Sequence, residues 1–218
     1  MLINTIPVIY INLEKRSDRK SNVLKELKKI GVEEPIRFKA IELENGAVGC
    51  SMSHLKCIEI AKQNNYDCVF ICEDDIEFLN PELFLKQLTS FINSSLKWDV
   101  AIIAGNNMIP FIPISDFCIQ VYNCQTTTGY IVKSHYYDTL IKNFKDGINN
   151  LVKEPSNNDY KIDKYWFKLQ RQHNWYMIIP PSVIQKEDYS DIEKKTTNFS
   201  KYFLDYNKAY KSSKTNSI

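Results

Sequence analysis

Glycine is scarce in this chain, six residues among 218, and none of the six forms a pattern such as GxGxxG or GxxxxGKS. A backbone cradle for phosphate is thereby excluded, so any phosphate group has to be met by a cation and by basic side chains. The six cysteines (Cys50, Cys57, Cys68, Cys72, Cys118, Cys124) include no Cys-x-x-Cys pair and no histidine at zinc-finger spacing, which argues against a structural zinc. Cys68 and Cys72 stand too far apart along one expected strand to bond, and reduced core thiols are expected. No apolar run approaches bilayer length, and the apolar start lacks both a cationic segment and a small-residue cleavage site. A soluble, cytoplasmic protein is expected, with peripheral contact to a membrane left open. Charge is close to balanced, with a formal net charge of +2 and lysines spread along the chain, so no nucleic-acid partner is expected. Repeats and low-complexity tracts are missing as well.

What is present reads as one globular domain: 44% hydrophobic and 25% charged residues over a length that buries a real core. A single catalytic domain is expected over residues 1–192, followed by a polar tail over 193–218. Ile6 to Leu13 is rich in branched and aromatic residues and predicts a buried first strand. Arg16 to Ile30 predicts an amphipathic helix stopped by Gly31. A second strand is expected over Arg37 to Ile41, a helix over Val48 to Asn65, and a third strand over Asp67 to Cys72. Asn80, Pro81 and Glu82 carry the signals of a helix start: a side-chain cap, a proline whose missing N–H costs nothing there, and an acid near the positive dipole end. Trp98 to Ala104 predicts another strand, Gly105 to Asp116 a loop, and Cys118 to Tyr122 with Thr128 to Val132 two strands in a hairpin. A helix capped by Ser134 follows, then a helix over Tyr160 to Gln172 and a strand over Tyr176 to Ile179. Such alternation predicts an α/β fold with a mostly parallel sheet and helices on both faces. Ligands then bind beyond the carboxyl ends of the strands.

The third strand runs straight into Glu73, Asp74 and Asp75. Adjacent acids repel one another unless a cation neutralises them, and hard oxygen ligands suit Mg²⁺ or Mn²⁺ bridging to a diphosphate. Alternation along an extended backbone predicts that Glu73 and Asp75 share one side while Asp74 faces the other. The bland alternative is a solvated turn after a core strand. Arg16 and Arg19, at the carboxyl end of the first strand, offer planar forks to a diphosphate, or are merely exposed residues at a helix start. Gly49 inside a helix implies a close approach to the backbone, taken as a ligand's, with Ser53 and His54 beside it, although a lone histidine near an apolar face is more often a satisfied structural one. No acid stands at a spacing that would make Ser53 and His54 a hydrolytic triad.

Five stretches in order, IYINLEKRSDRK, AVGCSMSH, VFICEDDIEF, TTTGYIVKS and PPSVIQ followed by SDIE, resemble glycosyltransferase family 25. The resemblance implies an A-type glycosyltransferase fold, Rossmann-like, and a metal-dependent inverting transfer of a hexose or N-acetylhexosamine from a UDP-sugar to a hydroxyl of a glycan, glycolipid or glycoprotein acceptor. It implies Mn²⁺ or Mg²⁺ on Asp75 and Glu73, with Ile11, Asn12, Arg16, Arg19, Ser53, His54, Glu73, Asp74 and Gln185 at the nucleotide sugar. Asp191 matches a late position of unassigned role. Asp163 resembles a family aspartate and is the candidate base, with Asp159 its competitor and His54 a second catalytic candidate. Tyr165, Trp166 and Phe167 could form an acceptor platform, although aromatic clusters on a helix are more often core. The other readings are a non-catalytic nucleotide-sugar or glycan-binding module, and a Mg²⁺-dependent phosphohydrolase, which would need an aspartate nucleophile where Leu13 and Glu14 follow the first strand.

Overall fold

The computed structural model describes residues 3–190 and 194–209. β1 (Val8–Asn12) is buried along its whole length, and its alternating side chains divide between two apolar layers: Val8 and Tyr10 enter one, Ile9 and Ile11 the other. α1 (Ser17–Lys29) closes the first layer with Val23 and Leu27 and ends before Gly31, whose φ of +81° an L side chain rarely adopts. β2 (Ile36–Lys39) runs parallel to β1. α2 (Gly46–Gln63) closes the second layer with Leu55, Ile58 and Ala61. It begins earlier than its apolar spacing predicts because the Asn45 side chain accepts from the amides of Ala47 and Val48 at 3.1 and 3.3 Å.

β3 (Cys68–Glu73) repeats the division, with Phe70 and Cys72 in the first layer and Val69 and Ile71 in the second. A two-residue turn leads to β4 (Ile76–Phe78), and α3 (Pro81–Ile92) then packs Phe84, Leu88 and Phe91 into the first layer. Its start matches the sequence signals: the Asn80 side chain accepts from Leu83 N at 3.0 Å, and Pro81 occupies the first turn. β5 (Val100–Asn106) is followed by two short strands where a loop was expected, β6 (Met108–Ile109) and β7 (Phe111–Pro113). β8 (Cys118–Val121), β9 (Gln125–Lys133) and α4 (Tyr137–Lys153) come next, and α4 lies beside α2 on the second face.

The predicted helix over Tyr160 to Gln172 is broken into a 3-10 turn, α5 (Ile162–Tyr165) and α6 (Phe167–Gln170). The broken segment is tied to a distant loop: Trp166 Nε1 and Gln170 Nε2 both donate to the Cys124 carbonyl, at 2.9 and 2.8 Å, and Gln170 Oε1 accepts from Cys124 N. β10 (Trp175–Ile178) and β11 (Val183–Gln185) follow. β12 (Asp188–Ser190), β13 (Lys195–Thr197), α7 (Ser200–Leu204) and β14 (Lys208–Ala209) complete the described chain. The described part of the expected polar tail is folded onto the rest: Phe203 is fully buried, and β14 pairs with β6.

Eight strands form one sheet in the order β2-β1-β3-β9-β5-β10-β8-β7. The α/β class with helices on both faces holds, but the sheet is mixed rather than mostly parallel. β1 is parallel to β2 and β3, and β5 to β10, whereas β9 runs against both β3 and β5 and β8 runs against β7 and β10. The expected hairpin of β8 with β9 does not form, since β9 lies between β3 and β5. The topology puts the carboxyl ends of β1, β2, β3 and β5 on one edge with the beginning of β9. Among the described residues no helix is long and apolar enough to cross a membrane.

Candidate functional site

At that edge Ile11 is in register with Glu73, and the three acids follow directly. Strand geometry ends at Glu73, and Asp74 and Asp75 form the turn into β4. The expected alternation therefore fails: Asp74 and Asp75 both face Arg19, whose Nη1 donates to Asp74 Oδ1 at 3.0 Å and to Asp75 Oδ2 at 3.1 Å. Glu73 points instead toward α2 and β9, where its Oε1 accepts from the Thr127 hydroxyl and lies 3.3 Å from His54 Nε2. All three acids line one cleft together with Ile11, Arg16, Arg19, Ser53, His54 and Gln185.

Charge is tightly balanced in this cleft. Burial and the neighbouring Glu73 charge push Asp75 up to about 7, against the pull of Arg19. Burial raises Asp74 too, opposed by its bonds from Asn12 and Arg19. Burial would also raise Glu73, but its contacts with His54 and Thr127 prevail and hold it below the ordinary carboxylate value. Arg19 is held charged by Asp75 and Asp74 despite its own burial. Among the described residues Asp75 Oδ1 is buried with no hydrogen-bond partner, although Oδ2 accepts from both Arg19 and Gln185. A buried carboxylate oxygen without a partner costs free energy that a cation would remove. Asp75 with its two acidic neighbours is a donor set of hard oxygens and fits Mg²⁺ or Mn²⁺.

Several expected ligands are occupied by the protein itself. Asn12 is buried: its Nδ2 donates to Asp74 Oδ2 at 2.6 Å and to the Arg16 carbonyl at 3.0 Å, and its Oδ1 accepts from Arg37. It holds the acidic turn rather than facing the cleft. Ser53 donates to the Gly49 carbonyl and accepts from Ile41 N, both at 2.8 Å. A methyl group on Gly49 would collide with the Ile41 carbonyl oxygen, so the close approach that the glycine permits is made by the chain's own 41–43 segment and not by a ligand. Arg16 and Arg19 both grip Asp188, at 2.8 and 2.9 Å, and both donate to the Tyr189 carbonyl. Asp191 lies outside the described residues.

A second cavity adjoins the first and shares Cys50, Glu73 and Gln185 with it. Its wall includes Asn106, Gln125, Thr126, Thr127, Thr128, Asp163, Phe199 and Phe203. Asp163 Oδ2 accepts from Thr126 N at 3.3 Å, and burial raises its carboxyl above the ordinary value. Thr126 sits at φ +74°, a left-handed conformation that costs a β-branched residue about 1–3 kcal/mol and recurs at functional sites. Oδ1 of Asn106 and Oγ1 of Thr128 are buried without partners among the described residues. Asp159 is exposed and pairs with Lys164, away from both cavities. The expected aromatic platform is core: Trp166 is fully buried, and Tyr165 packs against Gly147. The rings that do border the cavity, Phe199 and Phe203, come from the segment expected to be a tail. Sequence reading missed them, as it missed the Asp188 clasp, because nothing local marks a residue that reaches the site from the far end of the chain.

Residues 36–128 match the family model of glycosyltransferase family 25, described as an LPS biosynthesis protein. That segment contains α2, the acidic turn and the start of β9. No curated protein sequence matches the chain. Among solved structures, the chain is similar to a glycosyltransferase involved in the glycosylation of the major capsid of PBCV-1, at 13% identity and a TM-score of 0.52, covering 83% of this chain and 92% of that one. It is also similar to mannose-1-phosphate geranyltransferase from Thermus thermophilus (6% identity, TM-score 0.45, 83% and 74% covered) and to A197 from STIV (12% identity, TM-score 0.43, 84% and 95% covered). The first likeness shows the fold, that of A-type glycosyltransferases.

Proposed function

We propose that this glycosyltransferase moves a hexose or N-acetylhexosamine from a UDP-sugar to a hydroxyl of a glycan, glycolipid or glycoprotein, with inversion at the anomeric carbon. The observation that carries the reading is Asp75 Oδ1, which has no hydrogen-bond partner among the described residues and is buried beside Glu73 and Asp74 on a cleft at the carboxyl ends of the strands. Asp75 and Glu73 would hold the divalent cation, Mn²⁺ or Mg²⁺. When bound, that cation neutralises charge building on the departing diphosphate.

The chain's own residues supply the rest. Arg19 is fixed between Asp74, Asp75 and Asp188 and keeps a permanent positive charge at the cleft, with Arg16 beside it. Ile11 gives an apolar wall to the nucleotide, and Gln185 orients the Asp75 carboxylate by donating to Oδ2 at 2.9 Å. Asn12 and Ser53 act by position, the first holding the acidic turn and the second the 41–43 segment against α2. Asp163, in the adjoining cavity, takes the proton from the attacking hydroxyl; its raised pKa brings it toward neutrality, where a base is most effective. His54 keeps Glu73 ionised and oriented rather than meeting the sugar, since its ring is fully buried between Glu73 and Tyr130. The six free cysteines support a reducing compartment such as the cytoplasm.

Hydrolysis of UDP-sugars without an acceptor, with and without Mn²⁺, tests this reading. Slow release of UDP that needs the ion and stops in chelator is the expected result. If neither hydrolysis nor Mn²⁺-dependent UDP binding is seen with any hexose donor, the reading is wrong.

A further inference from the structure

We propose that Cys50, His54 and Glu73 form a separate metal site, one that takes a soft or borderline divalent cation such as Zn²⁺. Cys50 and His54 are four residues apart on α2, so their side chains leave the same face of the helix, and Glu73 meets them from the end of β3. One donor atom from each lies within 4.8 Å of the others. A tetrahedral Zn²⁺ with bonds of about 2.0–2.3 Å sets its ligands roughly 3.5 Å apart, a separation reached by small side-chain movements from this arrangement.

The surroundings are those of a metal centre. The Tyr130 hydroxyl bonds His54 Nδ1 at 2.9 Å, which leaves Nε2 turned toward Glu73, and the Thr127 hydroxyl donates to Glu73 Oε1. Partners of this kind orient imidazole and carboxylate ligands toward an ion. Cys50 is half-buried and, like Glu73, borders both cavities, so an ion has a path from solvent and its fourth position opens onto the cleft. Ligand chemistry separates this site from the one at Asp75. A thiolate with an imidazole selects zinc over Mg²⁺ or Mn²⁺, whereas carboxylates alone favour the hard ions.

Binding of the soft ion stands independently of the transfer reading; its consequence for catalysis rests on that reading. An ion held here takes the Glu73 carboxylate away from the donor site and sits in the passage common to both cavities. Zinc is thus an inhibitor that competes with the working cation for one shared ligand.

Titration of the reduced full chain with Co²⁺, without nucleotide, tests the site directly. The expected result is a sulfur-to-cobalt charge-transfer band that saturates at one equivalent and is displaced by Zn²⁺. Cys50→Ser should abolish that band while melting within a few degrees of wild type, and Cys50→Ala should hold Zn²⁺ about tenfold or more weakly against a chromogenic chelator. No band in the wild type, or identical cobalt spectra for wild type and Cys50→Ser, overturns the proposal. The Mn²⁺-dependent thermal shift with UDP is read on the same samples. Retention of that shift in Cys50→Ser shows two distinct ion sites, and a cobalt band in a wild-type protein that lacks the shift keeps the soft site while removing the transfer reading.

Discussion

Gln185 Nε2 donates to Asp75 Oδ2 at 2.9 Å, the oxygen that also accepts from Arg19, while Asp75 Oδ1 is buried with no partner among the described residues. One half of the carboxylate is held by the protein and the other half points at whatever completes it. Asp75→Asn keeps the shape and removes the charge. It is expected to abolish the Mn²⁺-dependent rise in melting temperature with UDP, yet to melt at or above the wild-type temperature in the absence of metal at pH 8. Scanning calorimetry with UDP, with and without Mn²⁺, checks both halves; a Mn²⁺ shift of wild-type size in the variant would remove Asp75 from the cation site.

The pH dependence of metal-free stability follows from the same group. Asp75 is raised to about 7 in the folded state, and Asp74 and Asp163 are raised as well, so the native protein binds more protons than the unfolded chain between about pH 4 and 7. Stability therefore falls as pH rises through that window, by at most about 4 kcal/mol from Asp75 alone. Arg19, which faces Asp75, stays charged throughout, and Glu73, shifted the other way, loses its contribution only below the window. Mn²⁺ relieves the repulsion, so its stabilising effect should be larger at pH 8 than at pH 5. Urea unfolding across this range decides it, and an equal effect at both values would count against the cation site.

The sequence shows the layers clearly because β1, β3, α1 and α3 carry their periodicity in contiguous residues. It shows the acids for the same reason. Strand direction is not visible there: β8 and β9 follow one another without a helix, and nothing local says that β9 inserts between β3 and β5. Side-chain aim at the acids failed at the point where strand geometry stops, since alternation holds for extended backbone and Asp74 and Asp75 already belong to a turn. Asn12 and Ser53 lie next to the site in sequence, but their hydrogen bonds run to groups far along the chain or one helical turn away, and no pattern reveals that.

Gly49 offers a test of packing alone. A Cβ there would strike the Ile41 carbonyl, a backbone atom that cannot rotate aside, and the 41–43 segment would have to move. Ala gains up to about 1 kcal/mol of helix propensity, which the overlap exceeds, so Gly49→Ala should lose roughly 2 kcal/mol net. Denaturant midpoints measure this. A stabilised variant would show that the segment is free to shift and that the glycine answers to something else.

Asp163 sits in the second cavity with its Oδ2 anchored by Thr126 N, a bond made possible by the left-handed Thr126. Asp163→Asn should lower the transfer rate by about 10²–10⁴-fold while leaving UDP and Mn²⁺ affinity unchanged, because a base acts on the acceptor and not on the donor. Asp159→Asn, at an exposed position, should change neither. Near-wild-type transfer by Asp163→Asn would move the role of base elsewhere.

The last expectation concerns the arginines. Asp188 takes a guanidinium nitrogen from both Arg16 and Arg19, and its carboxylate is partly exposed, at 31% of its side-chain surface. A diphosphate approaching these forks must compete with that carboxylate for the same donors. Pairs whose carboxylate stays partly open to solvent, as here, are worth on the order of 1 kcal/mol. Asp188→Ala should therefore tighten UDP binding by up to about fivefold at low salt, with the gain shrinking as ionic strength rises. Arg19→Met in the same background should reverse it, and it should also destabilise the fold, because Asp74 and Asp75 lose a guanidinium bonded to both. Titration calorimetry with UDP separates the outcomes: weaker binding in Asp188→Ala would mean that the clasp shapes the arginines for phosphate rather than withholding them from it.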